Sequence, residues 1–154
     1  MDVFLVYPIE CDKFSTFRIN VKVKLEGTLP QNRRQRVGAW GEALAAAFFE
    51  RLGYNVVARN IRTPYGEIDL VVRQPDGGTV FVEVKTRTSG SFGYPEEAVD
   101  ARKLAHIISS AQAYMLDQPG EAEQSWRIDV VSIQGRPGEK FEDVRIEHFE
   151  NVAM

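Results

Sequence analysis

The sequence is poor in the residues that staple or anchor a chain: one cysteine, Cys11, and two histidines, His106 and His148, in 154 residues. A single cysteine excludes an intrachain disulfide and fits a reducing compartment. Two histidines without a cysteine pair leave too few donors for a zinc centre. Long hydrophobic runs are also missing. The longest, Ala43–Phe49, has seven residues, against about 20 for a membrane span. Met1–Glu10 carries Asp2 and Glu10 and lacks the basic start of a secretion signal. These absences together lead to the expectation of a cytoplasmic protein with no membrane partner. Neither G-x-S-x-G, nor a Walker A loop, nor G-x-G-x-x-G occurs, which removes the commonest hydrolase and nucleotide-binding signals. Repeats and low-complexity stretches are absent too.

What is present is ordinary globular composition, 44% hydrophobic and 27% charged. The length suits one domain, and a chain of this size buries roughly 70% of its unfolded surface, so no staple is needed. The net charge of −3 argues against non-specific coating of nucleic acid, but the charge is unevenly spread. Residues 31–62 hold six arginines (33, 34, 36, 51, 59 and 62) against Glu42 and Glu50, while the rest of the chain is neutral or acidic. Arginine is the better phosphate fork; a solvated, partly ion-paired surface is the plainer reading.

Residues 1–32 read as an N-terminal extension, a hairpin or arm made of Val3–Ile9 and Thr16–Leu25, with Pro30 and Gln31–Gln35 as a joint. The second unit, residues 33–154, reads as one domain. A helix is expected over Val37–Leu52, with Val37, Gly41, Leu44, Phe48 and Leu52 on one stripe and Gly53 as its stop. Tyr54–Arg59 is a short strand. Glu67–Arg73 and Thr79–Arg87, joined by Pro75-Asp76-Gly77-Gly78, form an antiparallel hairpin. The Ser89–Pro95 loop, with Phe92 and Tyr94 among glycines, either lies over a substrate or merely connects. A second helix is capped by Asp100, with Ala101, Leu104, Ile108, Ala111 and Met115 as its inner stripe, and ends at Gln118-Pro119-Gly120. Ser125–Ile133 is a strand, and Phe141–Phe149 is extended or mixed. The order α-β-β-β-α-β fits a mixed sheet flanked by helices.

The central hairpin breaks the rule that core strands stay apolar. Period-two alternation places Val80, Val82 and Val84 on one face, and Phe81, Glu83, Lys85 and Arg87 on the other. Glu83 and Lys85 are then about 7 Å apart along a half-buried face, at roughly 3.3 Å per residue. Asp69 lies between Ile68 and Leu70, and the hairpin brings it beside Glu83. Two adjacent carboxylates repel unless a cation lies between them. A hard divalent ion takes such oxygens, together with a backbone carbonyl such as that of Val84. Lys85 would then orient a water or neutralise a phosphate. The plainer alternative is an ion pair between Glu83 and Lys85 on a half-solvated sheet. Glu42, among Ala45, Ala46 and Phe49, also needs a partner: Arg59 or Arg62, the helix N-terminus, or a place as a third carboxylate of the same site. His106 is expected at the surface, and Trp40 and Trp126 in the core or at its rim.

Gly38-x-x-Gly41-Glu42-x-x-Ala45, Gly53-Tyr54, Asn60-Ile61-Arg62, Gly66-Glu67-Ile68-Asp69-Leu70, Phe81-Val82-Glu83-Val84-Lys85-x-Arg87, Phe92-Gly93-x-Pro95, Lys103 and Arg127-Ile128-Asp129-Val130-Val131 together resemble the YraN-like family of bacterial proteins. The likeness runs from about Arg33 to about Ile133. That family is similar to Holliday-junction resolvases and the restriction-endonuclease-like PD-(D/E)xK superfamily. The resemblance implies an α/β fold with a restriction-endonuclease-like α-β-β-β-α-β core. It also implies cleavage of DNA phosphodiester bonds, branched DNA included, with Mg²⁺ or Mn²⁺ as cofactor and 5′-phosphate products. Asp69 and Glu83, with the Val84 carbonyl, would hold the metal, Lys85 would be the catalytic lysine, and Glu42 would match the helical glutamate of the resolvase-like branch. Arg33, Arg34, Arg36, Arg59, Arg62 and Lys103 would meet phosphates. Resolvases act as dimers because two-fold junctions need two symmetric cuts, so a homodimer is implied. Residues 1–30 precede the family's usual start. Two other readings stand beside the nuclease: a non-catalytic nucleic-acid-binding module of the same fold, and a protein-interaction factor.

Overall fold

In the computed structural model, residues 15–17, 32–88, 100–118, 120, 124–139 and 143–153 are described. The proposed hairpin of residues 1–32 lies outside them except for β1 (Ser15–Phe17), and the Ser89–Pro95 loop lies wholly outside. The other elements are α1 (Arg33–Arg51), β2 (Asn55–Thr63), β3 (Gly66–Arg73), β4 (Thr79–Arg87), α2 (Ala101–Asp117), β5 (Trp126–Gln134) and β6 (Arg145–Phe149). From α1 to β5 the order is the expected α-β-β-β-α-β, and the fold is a mixed sheet flanked by helices. No described helix is long and apolar enough to cross a membrane.

The six strands lie in the order β1-β6-β5-β4-β3-β2. β4 and β5 are parallel and every other neighbouring pair is antiparallel. A parallel pair needs a crossover of a dozen residues or more, and α2 supplies it. Because β4 is central, both its faces are covered. Val80 and Val82 pack with Leu44, Ala45, Phe48 and Phe49 of α1, and Phe81 packs with Ile107, Ala111 and Met115 of α2. The alternation read from the sequence therefore holds, with one helix on each face.

Several boundaries differ from expectation. Helix α1 begins four residues early, because the Asn32 side chain accepts from the Gln35 N–H and caps it; the polar stretch read as a joint is its first turn. It ends where expected, with Gly53 at φ +86, a left-handed conformation that glycine adopts without strain. β2 runs on to Thr63 and so absorbs Asn60, Ile61 and Arg62. On α2 the buried stripe is Ile107, Ser110, Ala111 and Met115, rotated from the expected one. Ala101 is exposed and Ile108 only partly buried, since Ser110 turns inward to bond Thr63 at 2.7 Å.

Gly41 sets how closely α1 approaches the sheet. A Cβ at that position would overlap Thr86 Oγ1 and stand 2.9 Å from Thr86 Cβ. The helix therefore lies almost in contact with β4 one position before Glu42.

Candidate active site

The site forms where two strands part. Pairing between β3 and β4 runs from Arg73–Thr79 to Leu70–Val82. Beyond that point β3 continues on β2 as far as Gly66, and β4 continues on β5 as far as Arg87. Asp69 and Glu83 are the first residues past the fork. Asp69 Oδ2 accepts the Val84 N–H at 2.7 Å, a side chain standing in for the missing ladder carbonyl, which fixes the carboxylate between the strands. The cleft at the fork has a volume of about 680 Å³. Helix α1 lines it with Arg33, Arg34, Val37, Gly38 and Glu42, and β4 and its following residues with Glu83, Val84, Lys85, Thr86 and Thr88.

Three bases, Arg33, Arg34 and Lys85, and three carboxylates, Glu42, Asp69 and Glu83, line the cleft. Burial is the main cause that lifts the Asp69 carboxyl from 3.8 to about 7, reinforced by the neighbouring Glu83 and Glu42 charges and opposed by the Val84 N–H and Lys103. Burial also raises Glu42, with Glu67 and Glu83 adding to it; the Asn60 amide and Arg59 work the other way. Glu83 is only 4% exposed. Its Oε1 accepts Lys85 Nζ at 3.0 Å and Lys103 Nζ at 3.2 Å, while its Oε2 is buried with no hydrogen-bond partner. A buried carboxylate oxygen left bare costs on the order of 1–3 kcal/mol. A water, an ion or a ligand commonly satisfies a group of this kind.

The donors available at the fork are all oxygens, the set a hard divalent cation prefers. Asp69 and Glu83 supply them, and the bare Glu83 Oε2 fits such an ion. Among the described residues no three His, Cys, Asp or Glu side chains are grouped closely enough to hold an ion by themselves. Glu42 is close enough to raise Asp69 electrostatically, yet it does not complete a three-carboxylate cage.

Of the residues singled out from the sequence, Glu42, Asp69, Glu83, Val84, Lys85, Arg33 and Arg34 share one cleft. Arg36, Arg59 and Arg62 are exposed and do not line it. Lys103, expected on a phosphate-facing surface, instead lies on Glu83. His106 is exposed, and Trp40 and Trp126 pack at the rims of the two core clusters, as expected.

Two features were not anticipated. Asn60 sits in β2 opposite Asp69, between the Arg59–Leu70 and Ile61–Ile68 pairs, and is left-handed at φ +51. Its side chain bonds Glu42. An asparagine inside an otherwise β-rich strand was the available signal, since Asn tolerates this conformation better than most residues. The second is a buried polar network under the C-terminal half of α1. Asp129, fully buried, accepts from His148 at 2.8 Å, Arg127 at 3.0 and 3.1 Å and the Asn151 N–H at 2.9 Å. Arg127 reaches on to Tyr54 and Glu150. Phe48 and Phe49 pack edge-on against the His148 ring. The network belongs to the fold rather than to the cleft.

Comparison with known proteins places the chain. A protein from Roseiflexus castenholzii is 43% identical over 116 residues, covering 75% of this chain and 91% of that protein. One from Syntrophotalea carbinolica is 42% identical over 117 residues, covering 76% and 90%; both are called UPF0102 protein. Among solved structures, SfsA of Pyrococcus furiosus in complex with Ca²⁺ is 16% identical with a TM-score of 0.34, over 76% of this chain and 63% of that one; a likeness this loose carries no argument. The profile described as "Uncharacterised protein family UPF0102" matches residues 41–133, a span that contains the forked strands, Glu42 and both lysines, and the chain belongs to that family.

Proposed function

We propose that the protein is a divalent-metal-dependent endonuclease that cuts DNA phosphodiester bonds, branched DNA included. The observation that carries this reading is the fork: a buried carboxylate with a bare oxygen and a half-buried one, beside a lysine in an open cleft. Mg²⁺ or Mn²⁺ at the Asp69 and Glu83 oxygens and the Val84 carbonyl would supply charge stabilisation to a phosphoryl group and a more acidic water. The chain's own residues supply the rest. Asp69, held by the Val84 N–H, is aimed before any ligand arrives. Lys85 stands 3.0 Å from Glu83, where its ammonium can face a non-bridging phosphate oxygen or orient the attacking water. Glu42, tied by Asn60, can hold a second water or accept its proton.

Both helices open with cations against their dipoles. α1 begins Arg33-Arg34 and α2 contains Arg102 and Lys103, and neither has an acid in its first turn. A positive helix terminus disfavours cations but attracts phosphate, so these residues suit a polyanion. Arg33 and Arg34 would hold the DNA backbone at the cleft, with Arg36, Arg59 and Arg62 extending the contact. A homodimer would present two such clefts to a two-fold junction.

A second reading, a non-catalytic DNA-binding module, is favoured by the lack of a three-ligand cage among the described residues. Labelled linear, flap and four-way-junction DNA with Mg²⁺ or Mn²⁺ separates the two. Under the nuclease reading the wild type cuts, Asp69→Ala does not, and both bind DNA. Binding without cutting by either protein supports the module. Equal cutting by both refutes the site.

A further inference from the structure

We infer that Lys103 is a second active-site lysine, held in reserve on Glu83 by an ion pair that a divalent cation breaks, and then released to the phosphate being cut. The inference rests on the nuclease reading and assigns a residue to it that the forked strands do not themselves contain. Two ammonium groups crowd onto Glu83 Oε1, at 3.0 and 3.2 Å, and Oε2 is left bare. Two cations on one oxygen repel each other, and the arrangement rests on the combined negative charge of Glu83, Asp69 and Glu42. A divalent ion held at the bare oxygen would offset that negative charge, and both ammonium groups would then be repelled. The next anion in the cleft is the substrate phosphate.

The stem of Lys103 is built for such a move. Its backbone N–H donates to Asp100 Oδ1 at 2.7 Å, which anchors it in the first turn of α2, where the helix dipole disfavours a cation. Ser110, two turns further along the same helix, is bonded to Thr63 of β2 at 2.7 Å and ties the helix to the sheet. The side chain itself is 38% exposed and does not line the cleft; it meets the site only through Glu83. A lysine kept at an unfavourable helix position, on a carboxylate that is half used, is explained by what it does once the carboxylate is taken.

Metal and DNA binding test this without relying on turnover. Mn²⁺ is titrated calorimetrically into the DNA-free wild type, Lys103→Met and Lys103→Arg. Removing the competing cation should tighten Mn²⁺ binding about tenfold in Lys103→Met, as expected for one nearby charge. Lys103→Arg should stay near wild type, and melting curves of both variants report folding. Four-way-junction affinity is then measured by anisotropy in EDTA and with Ca²⁺ in place of Mg²⁺. In EDTA, where Lys103 is engaged by Glu83, Lys103→Met should match wild type. With Ca²⁺ it should bind about tenfold more weakly, the worth of one charge-assisted phosphate contact. Unchanged or weaker Mn²⁺ binding in Lys103→Met, or an equal loss of DNA affinity in EDTA and Ca²⁺, overturns the inference and leaves Lys103 a fixed anchor. A wild type that takes up no Mn²⁺ overturns the metal reading itself, a different failure.

Discussion

Replacing Asp69 with Asn should make the protein more stable above neutral pH while removing its activity. The folded carboxyl titrates at about 7 against an ordinary 3.8, a gap of about three units, so its ionisation in the fold costs up to about 4 kcal/mol. Asn keeps an oxygen for the Val84 N–H and carries no charge beside Glu83. Its own amide must still be buried, so a net gain of about 2 kcal/mol at pH 8 is expected, or about 4–8 °C in melting temperature for a chain of this size. The sign follows from linkage. A carboxyl that holds its proton more tightly in the fold is cheapest when protonated, so wild type loses stability as pH rises from about 4 to about 7 and levels off above. Thermal melts in EDTA at half-unit steps from pH 4 to 8.5 should show the Asn variant less stable by about 2 kcal/mol at the acid end, where only the burial of its amide counts, and the order reversing as the pH rises. Mg²⁺ should then raise the wild-type melting temperature and leave the Asn variant unmoved. A difference that is constant across pH, or an Asn variant less stable at pH 8, would refute the account of a strained, half-assembled carboxylate site.

Three further outcomes follow from the geometry. Gly41→Ala should cost about 2–3 kcal/mol in denaturant melts, because its methyl must push α1 off Thr86; Thr86→Ala should restore part of the loss, and additive effects would exclude the contact as the cause. Asp129→Asn should destabilise by about 3 kcal/mol at pH 7, because it unbalances a buried ion-paired network. The Asp129 carboxyl is held below its ordinary 3.8 by its His148 and Arg127 bonds, so its stabilisation is present above pH 4 and lost as the pH falls further; urea midpoints at pH 3 and 7 check whether the two proteins converge in acid. Changing Arg33 and Arg34 together to Gln should lower the salt slope of junction binding by about 2 and weaken affinity on all DNA sequences alike; an unchanged slope would place the DNA elsewhere.

The local pattern of the chain was enough to determine the helices, the strands and the central hairpin. Alternation of Val80, Val82 and Val84 against Phe81 and Glu83, the Pro75–Gly78 turn and the Asp100 cap each act over a few residues, and a sequence displays such short-range preferences directly. The misplaced carboxylates Asp69, Glu83 and Glu42 were legible for the same reason: each is a charge where the local pattern calls for burial. The start of α1 is hidden in the sequence because the Asn32 cap lies two residues after Pro30, inside a polar run that also reads as a joint.

Only the tertiary structure decided which of these charges meet. The pairing of β4 with β5 is parallel and spans α2, so no local signal shows that β3 and β4 part at Leu70–Val82 and open the cleft. Lys103 reaches Glu83 because the crossover helix returns over that fork, and its own surroundings in sequence look like any basic helix start. Asn60 stands opposite Asp69 through the β2–β3 register and meets Glu42 only because α1 packs over those strands, and Asp129 finds His148 only when β6 closes on β5. Contacts of this kind depend on strand order and on how near α1 can approach at Gly41, quantities set by packing the whole chain rather than by any stretch of it.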